Sequence, residues 1–263
     1  LINFAHGDVF MVGSFTSFYA ITRYGWPFVP AILLAMLVCT VLNVVIERVA
    51  YKPLRNAPRI ASLITAIGVS FFLEYFTALR FVFSADFITY QRPFEVVVWD
   101  IGGVLISNIT IIIVGITLFL LLSLQFVIRR TEIGKAMRAT ALDKPAARLM
   151  GINVDAVISF TFALGAALAG AGGVLYAIAF PQILTFMGIM PGLKAFVAAV
   201  LGGIGSVPGA FVGSLLMGTT DVLVVSFLPM GSRLRDLIAF LILILVFLIK
   251  PTGIFGEPQA EKV

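Results

Sequence analysis

Ile109–Ile128 reads ITIIIVGITLFLLLSLQFVI, and it runs directly into Arg129–Asp155, RRTEIGKAMRATALDKPAARLMGINVD. The first stretch holds no charged residue. As a helix its twenty residues rise about 30 Å, the thickness of a bilayer's hydrocarbon core. The second stretch carries Arg129, Arg130, Lys135, Arg138, Lys144 and Arg148, six of the chain's 18 Lys+Arg. A basic loop of this kind between apolar runs marks the cytoplasmic face. Together they predict an all-α, polytopic helical membrane protein.

Composition agrees. Of 263 residues 60% are hydrophobic and 12% charged, more apolar surface than a soluble domain of this size can hide. A transmembrane barrel would show short alternating strands, and none is evident. The net charge of +5 sits in short loops at span ends, which the positive-inside bias explains without nucleic acid. Cys39, the only cysteine, lies in an apolar run and reads as a small core residue. The chain opens on Leu1-Ile2-Asn3-Phe4, with no signal-peptide pattern, as if entered midway. At least one upstream span is expected to be missing.

Outward from the central pair, further apolar runs cover Val9–Ile21, Pro27–Ile46, Ile60–Phe83, Ala156–Phe180, Pro208–Leu228 and Asp236–Lys250. Pro191–Ile204 is too short and too Gly-rich for an ordinary span. The expectation is a single transmembrane domain over 1–263 with about seven to eight membrane segments, one of them broken or re-entrant near 191–209. Glu47–Arg59 is a second basic loop, interrupted by Pro53 and Pro58, and belongs on the same side as Arg129–Asp155. Ser84–Asn108 is a mixed loop whose Phe94–Trp99 stretch suits a short strand or an interfacial piece. In Gly165–Gly173 nine small or apolar residues, GAALAGAGG, allow close helix approach in lipid. Val12-Gly13-Ser14 recurs as Val212-Gly213-Ser214, an echo short enough for chance.

The basic loop has helix signals of its own. Glu132–Leu142 predicts one helix and Lys144–Met150 a second, broken apart by Pro145. Asp143 is placed to cap the second helix with Pro145 in its first turn, and Gly151 to end it in the left-handed region. Asp155 is placed to cap the following span. Composition alone leaves two readings open: a solvated orienting loop, or a docking element for a soluble partner.

Motifs in order along the whole chain narrow this. Leu1-Ile2-Asn3-Phe4-Ala5-His6-Gly7-Asp8, the central Gly134-Lys135-Ala136-Met137-Arg138-Ala139, Lys194-Ala195-Phe196 followed by Ala198–Ala210, and Pro251-Thr252-Gly253-Ile254-Phe255-Gly256 resemble the branched-chain amino acid ABC-transporter permeases, specifically the first of the two permease types of that importer. The resemblance implies a multi-pass protein of the bacterial inner membrane. It implies a periplasmic substrate-binding protein, a second permease subunit and two ATP-binding subunits as partners. ATP and Mg would be used by those ATPases, with no cofactor in this chain. The coupling element would be Glu132–Gly151, with Glu132, Gly134, Lys135, Arg138, Ala139, Asp143, Lys144 and Gly151 as its candidate residues. Ala139, Asp143 and Gly151 are expected to shape the contact, and Arg138 and Lys144 to supply its polar rim.

Polar residues inside apolar runs are the second class of candidates, because a charge at the bilayer centre costs roughly 2.5–3.5 kcal/mol on insertion scales. Asn3, His6 and Asp8 cluster before the first run and suit either a gate for a zwitterion or an interfacial cap. Glu74 must face protein or a water-filled cavity, whereas Arg80 can snorkel outward. Lys194 can meet a substrate carboxylate or an acidic neighbour such as Asp221. Asn3, His6, Asp8, Glu74, Lys194 and Asp221 are therefore the candidate pathway residues. One His and one Cys on separate segments give no metal set and no nucleophile–base pair. The sequence has no GxxxxGK[ST] phosphate loop. A transport permease leads. The alternative is a stand-alone secondary transporter coupling ions through Glu74 and Asp221.

Overall fold

The computed structural model describes residues 5–55, 57–228, 230–250 and 252–256. It is helical in the main and divides into two compact units, 1–189 and 190–263. The first holds α1 (His6–Thr22), α2 (Phe28–Ile46), α3 (Arg59–Thr77), α4 (Asn108–Arg130), α5 (Glu132–Leu142), α6 (Lys144–Leu149) and α7 (Val154–Ala179). Its four short strands are β1 (Ile88–Thr89), β2 (Val98–Ile101), β3 (Val104–Ser107) and β4 (Gln182–Ile183). The second unit holds α8 (Ile189–Gly202), α9 (Val207–Phe227) and α10 (Gly231–Ile249). Among the described residues five helical stretches are long and apolar enough to cross a membrane: Phe28–Leu54, Ile60–Thr77, Asn108–Arg130, Val154–Ala179 and Val207–Phe227. With the shorter apolar α8, the 17-residue α1 and the charge-bearing α10, this is a polytopic helical membrane protein.

The core of the first unit is the mutual packing of α1, α2 and α7, with α2 and α7 in the most extensive contact. Their approach is set by missing side chains. A Cβ on Gly13 would lie 2.7 Å from the Gly170 Cα, and one on Gly170 would lie 2.8 Å from the Ala35 carbonyl oxygen. A Cβ on Gly173 would strike the Phe10 carbonyl. The Gly165–Gly173 run is thus the seam, as lipid-phase packing requires. Around it Val9, Met11, Phe15, Val174 and Ile178 are fully buried. Cys39 is buried there too, its thiol donating to the Val9 carbonyl at 3.2 Å.

Two corrections concern helix ends. Glu47–Arg59 is not a plain loop: α2 continues past Ile46 as a π turn, Glu47–Tyr51, and a 3-10 turn, Lys52–Leu54, which takes Pro53 into its first positions. The run expected to cross as Ile60–Phe83 stops as a helix at Thr77. Within Ser84–Asn108, β2 and β3 form an antiparallel hairpin, and β1 pairs with β4. Gly102 (φ +64°) and Gly103 (φ +88°) make the hairpin's two-residue turn, a conformation other residues strongly resist.

In the second unit the expected break is narrower than the glycine count suggested. Pro191 and Gly192 sit in the first turn of α8, where a helix tolerates them. The helix ends at Gly202, and the chain turns through Gly203 (φ +107°) and Gly205 (φ +96°) to Ser206, whose hydroxyl caps α9 by accepting from the Gly209 N–H at 3.1 Å. At 14 residues α8 is about 21 Å long, short of a bilayer core. The terminal segment 252–256 folds back here. Ile254 and Phe255 donate backbone N–H groups to the Leu201 and Gly202 carbonyls at 2.9 and 3.0 Å, satisfying helix-end acceptors.

Candidate functional site

The two short helices of the basic loop form as their caps predict. Thr131 starts α5, its hydroxyl accepting from the Gly134 N–H at 3.1 Å. Asp143 starts α6, accepting from the Ala146 N–H at 3.1 Å, and Gly151 follows it at φ +81°. Asp155 is not the cap of α7, however: Asn153 accepts from the Ala156 N–H at 3.1 Å. Both residue types suit a cap, and Asp155 is held elsewhere.

Of the eight predicted coupling residues, Gly134 is buried beneath the element. Its missing Cβ lets α5 lie on the Val127 and Ile128 carbonyls at the end of α4. Arg138 donates to the Ile128 carbonyl, so its charge meets the C-terminal end of the α4 dipole. Glu132 and Lys135 pair with each other at 2.9 Å on the outer face. Lys144 and Gly151 are exposed, and Ala139 and Asp143 are half-buried. Sequence reasoning missed the most prominent surface. Leu142, Leu149 and Met150 are 82, 89 and 82% exposed, three large apolar side chains on the exposed side of a polar loop.

At the same end of the unit the two basic loops are joined. The Arg55 guanidinium bridges the Glu47 and Asp155 carboxylates, with Lys52 3.9 Å from Asp155. The Ser159 hydroxyl donates to the other Glu47 oxygen at 2.7 Å. This joins Glu47–Arg59 to the segment that ends Arg129–Asp155, so the two basic segments lie at one end of the unit.

The membrane candidates fall into two clusters. Asn3 lies outside the described residues. Asp8 is buried in α1 and accepts from the Ser70 hydroxyl of α3 at 2.5 Å; Glu74, also buried one turn further along α3, adjoins it. Ser70 is eleven residues into α3, roughly 16 Å along its axis. His6 meets α7 at Gly165, again eleven residues in, and its side chain is exposed. Both neighbours therefore place the start of α1 well inside the apolar layer. In the second unit Lys194 lies 2.7 Å from Asp221 and 2.9 Å from Asp236, with Arg235 3.9–4.0 Å from the same two carboxylates. Two cations and two anions balance across α8, α9 and α10. The acidic-neighbour reading of Lys194 is the one realised. Among the described residues no cluster of three or more His, Cys, Asp or Glu could hold a metal.

Comparison with known proteins places these features. The family described as "Branched-chain amino acid transport system / permease component" matches residues 1–247. The chain belongs to this permease family. The high-affinity branched-chain amino acid transport system permease protein LivH of Escherichia coli (strain K12) is 40% identical over 280 residues, which cover 100% of this chain and 88% of that protein. The corresponding permease protein BraD of Pseudomonas aeruginosa is 41% identical over 273 residues, with the same coverage. A probable branched-chain amino acid transport permease protein LivH of Methanocaldococcus jannaschii is 27% identical over 267 residues, covering 97% of this chain and 82% of that protein. No solved structure matches the chain.

For a transport permease and not an enzyme, the features to explain are surfaces and linkages. Besides the apolar trio, the residues missed were Arg55, Glu47 and Ser159, which join elements far apart in sequence. The signal that could have found them is the spacing of Thr40, Asn43 and Glu47 along one face of an otherwise apolar α2.

Proposed function

We propose that this chain is the membrane permease subunit of an ATP-driven bacterial importer for branched-chain amino acids, seated in the inner membrane. It would form the translocation pathway with a second permease subunit, receive substrate from a periplasmic binding protein, and dock two ATP-binding subunits at Glu132–Gly151. The observation that carries the proposal is the family match over nearly the whole chain, with the docking segment inside it.

The geometry of α5 and α6 supports the docking role. A solvated orienting loop has no need of three large apolar side chains in water, whereas a protein groove buries them favourably. Glu132, Lys135, Lys144 and Arg148, exposed on the same two helices, would supply its polar rim. We assign His6, exposed at the mid-depth start of α1, to the pathway wall, with Asp8 and Glu74 bracing it from inside. The ion-coupled alternative needs Asp221 free to exchange protons or ions, and Lys194 holds it at 2.7 Å.

The test is reconstitution of the full-length permease with its ATPase and binding protein, measuring amino-acid uptake with and without ATP. Uptake that requires ATP and the ATPase is expected. Uptake driven by an ion gradient in the absence of the ATPase refutes the proposal.

A further inference from the structure

The cytoplasmic end of the first unit holds a charge cluster that the docking role leaves unexplained. Glu47 is fully buried, and Arg55 is 14% exposed, both near the basic end of α2. A membrane protein has little reason to bury a carboxylate without using its partner for position. Arg55 reaches two carboxylates with different nitrogens of one planar group, Nη2 to Glu47 and Nη1 to Asp155. A lysine's single ammonium does not present that fork. Ser159 holds the second Glu47 oxygen. The cluster also ends a ladder. Thr40, Asn43 and Glu47, spaced along one face of α2, bond to Ala163, Phe162 and Ser159 of α7 at 3.4, 2.9 and 2.7 Å.

The ladder fastens the second and third turns of α7, and the Arg55–Asp155 pair extends the hold to its first turn. That turn follows α6 after only Met150–Asn153, and Ile152 donates to the Ala147 carbonyl at 3.0 Å, so α6 and α7 are closely joined. The weak point of the joint is Gly151, in the left-handed region with no atom within 4 Å of the place a Cβ would take. A force on α6 can bend there or pass into α7. It moves the transmembrane pair only if the start of α7 is fixed to α2.

We propose that Arg55 is a positioning residue for coupling: by clamping Asp155 to Glu47 it delivers displacement of α5 and α6 to the α2–α7 pair, where it would otherwise be lost at Gly151. The clamp depends on the docking role of Glu132–Gly151, and the experiment separates the two. In the reconstituted importer, R55K, D155N and D155E are compared with the native chain for ATPase co-purification, ATP hydrolysis and amino-acid uptake per ATP hydrolysed. Asp155 is 45% exposed, so D155N tests the clamp without leaving Glu47 unpaired.

Native-like ATPase binding is expected in all three. Uptake per ATP falls about two- to thirtyfold in R55K and D155N, the span produced by changes along coupling networks, and D155E recovers most of it. Unchanged uptake per ATP in both R55K and D155N overturns the clamp. So does loss of ATPase binding in D155N, which would make Asp155 part of the docking surface. If the native chain itself binds no ATPase, the docking role fails and the clamp fails with it.

Discussion

Leu149→Ala separates docking from folding more cleanly than any other single substitution in this chain. Leu149 is 89% exposed on a six-residue helix, so its truncation removes almost no contact within the subunit. Surface changes away from caps and charge networks stay within about 0.5 kcal/mol, and the unfolding temperature of the purified subunit should barely move. Docked in an ATPase groove, the same side chain would be desolvated, and full burial of a leucine is worth about 1.5–3 kcal/mol. Its loss should weaken binding of the ATPase roughly ten- to hundredfold. Titration of the ATPase against detergent-solubilised permease, read by calorimetry or fluorescence anisotropy, measures that ratio, and a parallel melt checks the fold. Leu122→Ala is the control: Leu122 is 67% exposed on the membrane-spanning α4 and should leave ATPase affinity alone. A Leu149→Ala affinity within twofold of native, or an equal loss from Leu122→Ala, refutes docking by the apolar trio.

Three other substitutions probe the supports of these surfaces. Gly134→Val puts a branched side chain against the Val127 and Ile128 carbonyls, and overpacking of that kind costs about 1–3 kcal/mol; a melt should show it, with ATPase binding lost because α5 is displaced. Lys194→Met leaves Asp221 and Asp236 with only Arg235, 3.9–4.0 Å away, against their two charges. It should destabilise the subunit, and adding Asp221→Asn should restore much of the loss in a double-mutant cycle, whereas strictly additive effects would deny the pairing. Gly253→Ala forces φ +77° on a residue with a Cβ and drives that Cβ into the Val200 carbonyl. The fold-back of 252–256 should open, seen as faster amide exchange at Ile254 and Phe255.

Features set by nearby residues were the legible ones. Asp143, Pro145 and Gly151 are local stop and start signals, and they predicted the end of α5 to the residue and the bounds of α6 within one. Asn153 and Asp155 are equally good caps by type. Only the position of Arg55, 100 residues away, decides that Asp155 is taken for an ion pair. The same distance hid the clamp, since nothing local to Glu47 names its partner. Leu142, Leu149 and Met150 were hidden differently: in a predicted helix an apolar residue reads as core, and exposure is a tertiary fact. Around α8 the glycine count pointed rightly to a break, which falls at Gly203–Ser206, but not to the packing role of Gly202. Gly202 is needed where a Cβ would strike the Gly209 carbonyl. Close backbone approach outweighs a propensity cost of about 1 kcal/mol per glycine.

The motifs that carried the resemblance therefore have two physical meanings, and the difference directs where function should be sought. The Gly202–Gly209 turn closes α8 onto α9, and the 252–256 segment seals that turn. In these, small residues are present because backbones touch, and substitution there tests packing. Ala5-His6-Gly7-Asp8 and the Gly134–Ala139 run are mixed. Gly7 and Gly134 are packing points, but His6 is exposed mid-depth and Lys135 is exposed beside the apolar trio. A residue that a motif retains without packing to explain it has to be explained by something outside this chain. By that criterion His6 points to the pathway and the surface of α5 and α6 to the ATPase. The Arg55 clamp lies between them, on the α7 that passes His6 at Gly165 and whose first turn follows α6.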